Sequence, residues 1–208
     1  MRVVVSIGPG QHGDFLLREL ARRGTLKLSI RSWPYFQVES WSEDTASVLA
    51  SNRWYRRVSW LSWAVWRRMP WLHRYQTPAS WLSSLHDRMA RRFVGDCDMF
   101  LGWAQVSLLS LREARQGGAI AVLEHPMVHI TDWMATVREE YRRWGTEAAR
   151  YPNLFPRQLV RRMTREYLEA DYITVLSRFA RDTFVEHGID EKKLLCIPLG
   201  VDVDHFCP

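Results

Sequence analysis

Cysteine is scarce in this 208-residue chain, lysine is nearly absent beside arginine, and long apolar runs are missing altogether. Each shortage excludes a class of protein. The three cysteines, Cys97, Cys196 and Cys207, are odd in number and scattered without metal-ligand spacing, so neither a disulfide scaffold nor a zinc module is expected and a reducing compartment is implied. No stretch approaches the roughly 18 uninterrupted apolar residues of a bilayer span. The opening run, Met1-Arg2-Val3-Val4-Val5-Ser6-Ile7-Gly8, is too short for the apolar core of a secretory signal and reads as a first strand. Acidic residues are absent from 45–86, and the same region carries Arg53, Arg56, Arg57, Arg67, Arg68 and Arg74. Without those six arginines, 23 basic residues face 23 acidic ones, so the net charge of +6 is one local patch on a neutral chain. What is present, 47% apolar and 25% charged residues, suffices for one domain with a large core and excludes disorder.

Apolar runs of strand length alternate with helical periodicity along most of the chain, the pattern of βαβ units. Strands are predicted at Arg2–Ile7, Leu26–Arg31, Cys97–Trp103, Ala119–Glu124, Tyr172–Leu176 and Leu194–Pro198. Helices are predicted after Gly13 up to Gly24, over 54–69, from Thr77 to Phe93, and over Ser107–Arg115, Asp132–Ala149, Pro156–Glu169 and Ser177–His187. The expected fold is α/β: a Rossmann-like parallel sheet with helices on both faces, filling 1–198, with 199–208 as a linker.

Gly8-Pro9-Gly10-Gln11-His12-Gly13 is a GxGxxG between a strand and a helix, where backbone amides can face phosphate. A dinucleotide cradle expects an acidic residue at the end of the next strand, and that position reads Ser29-Ile30-Arg31-Ser32. Arg31 would suit NADP, whereas Pro9 and the bulky Gln11 and His12 are unlike a close-packed pyrophosphate turn. An NADP-binding oxidoreductase, another phosphate-bearing ligand and a plain tight turn therefore all stand as readings of this loop.

The most specific stretch is Ala170-Asp171-Tyr172-Ile173-Thr174-Val175-Leu176-Ser177, continuing through Phe184-Val185-Glu186-His187-Gly188-Ile189 to Ile197-Pro198-Leu199-Gly200-Val201-Asp202-Val203-Asp204-His205-Phe206-Cys207-Pro208. It resembles the end of the N-terminal domain in the retaining, group 1 family of nucleotide-sugar glycosyltransferases with the GT-B fold. There an "AD…VTVS" strand, a helix closed by glycine and "IPNGVD…F.P" follow in this order; Leu199 stands where the family commonly has Asn. The resemblance is local to 170–208. It implies an acceptor-binding half of a two-domain enzyme, with the donor-binding domain and its Glu-x7-Glu motif beyond Pro208. By itself this half should transfer no sugar. The implied partners are a nucleotide-sugar donor, held mainly by the other domain, and a glycan or lipid-linked acceptor, with no cofactor.

In open α/β sheets ligands sit beyond the carboxyl ends of the strands, where the Gly8–Gly13 loop, Glu124, His125, Ser177, Arg178 and Gly200 are all expected. The resemblance gives His125 contact with the transferred sugar as its catalytic role, and places the glycine loop near the donor phosphates and acceptor. Read from the residues alone, His125 is equally a loop histidine before Pro126, and Ser177 an ordinary helix N-cap. His125 and His129 are four apart, but Pro126 interrupts the helix start and no third ligand stands out, so no metal is expected.

On a helix, Trp54, Val58, Leu61, Val65, Met69 and Leu72 share a stripe about 80° wide, with all six arginines on an adjoining face. Trp60, Trp63, Trp66 and Trp71 lie among or beside those arginines. Such a helix either packs its stripe in the domain or docks Arg56, Arg57, Trp60, Trp63, Arg67 and Arg68 onto an anionic membrane surface, on the cytoplasmic face of the inner membrane. Nucleic acid is not expected, since a stacking platform needs no such apolar stripe. A binding domain without catalysis is the alternative of a different class.

Overall fold

The computed structural model describes residues 1–8, 13–31, 53–69, 77–145 and 155–200. Six strands form one all-parallel sheet: β1 (Val3–Ile7), β2 (Leu26–Arg31), β3 (Met99–Trp103), β4 (Ile120–His125), β5 (Tyr172–Val175) and β6 (Leu194–Cys196), in the order β2-β1-β3-β4-β5-β6. Every residue of β1 is buried, as expected for a central parallel strand covered on both faces. The helices are α1 (Asp14–Arg22), α2 (Arg53–Arg68), α3 (Thr77–Ala90), α4 (Leu108–Gln116), α5 (Ile130–Arg143), α6 (Arg157–Glu169) and α7 (Arg178–Glu186).

Strand alternation divides the core in two. Val3, Val5, Ile7 and Trp103 meet Leu17 of α1 on one face. Val4, Phe100, Ala121, Leu123, Ile173 and Val175 meet Ala90 of α3, Leu111 of α4, Ile130 of α5, Met163 of α6 and Phe184 of α7 on the other. Right-handed crossovers require this partition. The connection from β1 to β2 moves one way along the sheet, and all later ones move the opposite way, so among the described helices α1 lies alone on its face.

The helix ends follow the glycines. Gly24, at φ +65°, lets its own amide reach the Ala21 carbonyl (2.9 Å) and that of Thr25 reach Leu20 (3.0 Å), closing α1. Gly145, at φ +62°, donates its amide to the Arg142 carbonyl (3.2 Å). That closure is why α5 stops at Arg143 instead of extending to Ala149, and α5 begins two residues earlier than predicted because His129 caps it. The remaining predicted elements agree within a few residues, except that Arg91–Phe93 is a 3₁₀ turn following α3. The predicted linker 199–208 lies outside the described residues from 201 onward.

Helix α2 departs from the simple packing expectation. It rests on α3, with Trp54 beside Leu85, Arg88, Met89 and Arg92, instead of laying its apolar stripe on the sheet. Trp54, Leu61, Val65 and Met69 of that stripe are exposed, as is Trp60. Among the described residues, no helix is long and apolar enough to cross a membrane.

Candidate functional site

The order β2-β1-β3 contains a topological switch point: the chain leaves β1 toward β2 on one side, and β3 lies on the other. Open parallel sheets form their ligand crevice at the carboxyl ends of the two strands flanking such a point. Here those ends are Ile7-Gly8 and Trp103, joined by Gly13 at the start of α1. A Cβ on Gly13 would lie 2.5 Å from Ile7 Cδ1 and 3.1 Å from Trp103 Cη2, so a side chain there would push the Ile7 methyl and the indole aside. Residues 10–12 of the glycine loop, Gly10, Gln11 and His12, lie outside the described residues.

Immediately after β3, Gln105 adopts φ +82°, a left-handed conformation that costs a non-glycine residue roughly 1–2 kcal/mol. A buried carboxylate holds it there. Glu166 Oε2 accepts the Gln105 amide (2.7 Å) and Oε1 accepts that of Ser107 (2.9 Å). Asp87 accepts the amides of Leu109 (2.7 Å) and Ser110 (2.9 Å) together with the Ser110 hydroxyl (2.7 Å). Arg162 donates to Asp87 and lies 3.5 Å from Glu166. The start of α4, which follows β3, is thus satisfied by the chain's own carboxylates and is closed to a ligand phosphate.

Burial pushes Glu166 up to about 7 against the opposing pull of Arg162, and raises Asp87 in the same way. Sequence reasoning missed this network, yet its signal is there. Glu166 sits in the apolar stripe of Leu159, Met163, Tyr167 and Ala170, and Asp87 falls beside Ser83 and Ala90 on the inner side of α3.

No protein-family model matches the sequence, and no curated protein matches it. Among solved structures the chain is similar to the crystal structure of CalG4, the calicheamicin glycosyltransferase, at 15% identity and a TM-score of 0.52, over 97% of this chain and 52% of that one. The chain has a GT-B fold domain. It spans about half the length of that structure. It is also similar to UDP-GlcNAc 2-epimerase from Methanocaldococcus jannaschii, at 8% identity and a TM-score of 0.42, over 95% of this chain and 45% of that one.

In this GT-B domain the expected site residues fall along one edge because the strands are parallel. Gly8 follows β1, Glu124 and His125 end β4, Ser177 and Arg178 follow β5, and Gly200 lies beyond β6. At about 4.8 Å per strand, Gly8 and Arg178 are some 15 Å apart across that edge. Glu124 is half-buried, receives a hydrogen bond from the Thr174 hydroxyl and is shifted upward by burial. Arg178 is exposed, and Gly200 faces open space. Ser177 is the N-cap of α7, its Oγ accepting the Ala180 amide at 3.1 Å. Arg31 ends β2 but is 4% exposed, so it presents no guanidinium to a ribose phosphate, contrary to what the NADP reading needs.

His125 is fully buried. Its Nδ1 faces the Met127 carbonyl (2.9 Å), which only accepts, so Nδ1 carries the proton and Nε2 accepts from the Tyr167 hydroxyl at 2.8 Å. Burial holds the ring neutral, down to about 4. With both nitrogens engaged internally, contact with a sugar would require the ring to turn out of the core. In the arrangement seen, His125 fixes the end of β4 beneath the edge.

His129 does not join His125 as a ligand pair. It stacks on His187 instead, with ring centroids 4.1 Å apart and planes 22° from parallel, and Asp132 accepts from His187 Nε2 at 2.9 Å. Candidate ligand atoms of these three residues lie within 4.8 Å of one another. A histidine nitrogen directs its lone pair in the ring plane, and metal bonds are about 2 Å long. Two nearly parallel, stacked planes cannot both contain one ion at that distance, so this arrangement is a hydrogen-bonded stack and not a formed metal site.

Of the arginine–tryptophan surface, Arg57, Trp60 and Arg68 are exposed on α2. The side chains of Arg56, Trp63 and Arg67 lie outside the described residues.

Proposed function

We propose that this chain is the N-terminal, acceptor-binding half of a retaining GT-B glycosyltransferase, which moves a sugar from a nucleotide-sugar donor to a lipid-linked or envelope glycan. The observation that carries this reading is the β1/β3 switch point of the parallel sheet, whose carboxyl edge gathers Gly8, Gly13, Trp103 and Gln105, with Glu124 two strands along. The 170–208 motif order and the GT-B fold support it.

The division of labour follows from charge. A diphosphate leaving group needs cations and free helix N-termini. The start of α4 is occupied by Glu166 and Asp87 and offers no free amides, and the resemblance over 170–208 assigns the leaving-group contacts mainly to a second domain. This half supplies shape and acceptor orientation, which lower the barrier by holding the attacking hydroxyl in place. Glu124, whose affinity for a proton is raised by burial, is suited to hydrogen-bond that hydroxyl. His125 acts as a positioning residue below it, and the glycine loop offers backbone amides to the donor. The exposed apolar stripe of α2 with Arg57 and Arg68 supports peripheral attachment to an anionic, cytoplasmic membrane face, close to a lipid-linked acceptor.

The coding sequence after codon 208 tests this reading. Continuation into a second Rossmann-like domain with a Glu-x7-Glu motif is expected; a stop codon directly after Pro208 overturns it in favour of a non-catalytic binding domain.

A further inference from the structure

Helices α3, α4 and α6 each lead into the start of the next strand of a parallel sheet, so all three run from the carboxyl edge toward the amino edge. Residues early in these helices therefore lie at the same edge as the crevice, on the outer surface of the helix layer. There an open depression of about 700 Å³ is lined by Trp81, Ser84, Leu108, Gln158, Leu159, Arg161, Arg162 and Arg165.

Its chemistry is one-sided. Gln158, Arg161, Arg162 and Arg165 follow the i, i+3, i+4, i+7 spacing that gathers side chains on one side of α6. Among the described residues, no carboxylate lines the depression. Arg161 and Arg165 are exposed, and among the described residues neither forms an ion pair with a carboxylate. Arg162 is different: it is 13% exposed, anchored from behind by Asp87 and Glu166, and its Nη1 lies 3.3 Å from Ser84 Oγ. An anchored guanidinium flanked by two exposed ones is a preorganised receptor for a tetrahedral or planar oxyanion, because little side-chain entropy remains to be lost at its centre. The floor is apolar, from Leu108 and Leu159, and Trp81 is 49% exposed at the wall, a flat face on which a sugar ring can lie.

We infer that this depression binds the anionic portion of a glycan, an oxyanion held by Arg161, Arg162 and Arg165 with the adjoining sugar ring on Trp81. The inference rests on the proposed function only in taking that ligand as the acceptor; the binding itself does not depend on sugar transfer. The same chemistry is offered by a phosphate on a lipid-linked glycan and by a soluble sugar phosphate.

The test is calorimetric binding to the full-length protein of glucose 6-phosphate, glucose, inorganic phosphate and vesicles containing anionic phospholipid. Glucose 6-phosphate should bind at least tenfold more tightly than glucose, and Arg161→Gln with Arg165→Gln should weaken it by tenfold or more while leaving the circular dichroism spectrum unchanged. Trp81→Ala should weaken glucose 6-phosphate several-fold and leave inorganic phosphate unaffected. Retained vesicle binding in the double arginine variant, with lost sugar-phosphate binding, assigns the site to the soluble sugar oxyanion. Parallel loss of both assigns it to a ligand presented at the membrane. Equal affinity for glucose and glucose 6-phosphate, or glucose 6-phosphate binding unchanged in the double variant, overturns the inference. Sugar-phosphate binding that behaves as expected in a protein without transferase activity would leave the depression standing and remove only the acceptor assignment.

Discussion

Acidification should unfold this domain well before its carboxylates are fully protonated, because three histidines are buried as neutral rings. His86 is held down to about 3 by burial and by Arg162, and His125 and His129 to about 4 by burial. Their folded values lie below the ordinary 6.5, so between pH 6.5 and 4 the unfolded chain binds more protons than the folded one. Stability is then complete above pH 6.5 and is lost as pH falls through that window. At 1.36 kcal/mol per unit of difference, each histidine withdraws about 3 kcal/mol by pH 4. Glu166 acts in the opposite sense. Its folded value of about 7 lies above the ordinary 4.5, so its contribution grows as pH falls from 7 to 4.5 and offsets about 3 kcal/mol. Asp87, also raised by burial, offsets a further part, and the net loss of several kcal/mol left by pH 4 is a large fraction of the stability of a domain this size. Guanidinium unfolding followed by tryptophan fluorescence at a series of pH values measures this directly. Glu166→Gln removes the offset, so its acid loss should exceed that of the parent by about 3 kcal/mol. A stability that stays within about 1 kcal/mol between pH 7.5 and 4.5 would refute the reasoning.

Other substitutions probe the crevice and α2. Gln105→Gly should relieve left-handed strain and raise stability by about 0.5–1 kcal/mol, seen as a rise of a few degrees in Tm; a lower Tm would mean Glu166 does not hold a strained residue. Gly13→Ala should cost about 1–3 kcal/mol in denaturant titration, since its Cβ meets Ile7 and Trp103, and a neutral result would place that loop elsewhere. Replacing Arg56, Arg57, Arg67 and Arg68 with Gln should sharply reduce co-sedimentation with anionic liposomes; unchanged sedimentation removes the membrane role of α2.

The fold was readable because its elements are locally encoded. Buried runs such as Val3–Ile7 and left-handed glycines at Gly24 and Gly188 mark strand and helix limits without tertiary information. The strand edge that gathers Gly8, Glu124 and Arg178 follows from parallel pairing alone. His125 was harder: its position at the end of β4 is visible in the chain, but its burial depends on Tyr167, 42 residues away. The Asp87–Arg162–Glu166 network spans 75 and more residues in sequence and was hidden, because each charge read singly looks like a solvated helix residue. The exposed stripe of α2 also escaped periodicity, which shows that a face is apolar without showing what meets it.

Sugar transfer by the full-length protein tests the central claim most directly. Incubation with a panel of labelled nucleotide sugars and a membrane glycan extract should release nucleoside diphosphate and label a glycan, with the product anomer matching the donor. It should fail with residues 1–208 alone. No turnover and no donor binding by a full-length protein that is shown to be folded would contradict the account.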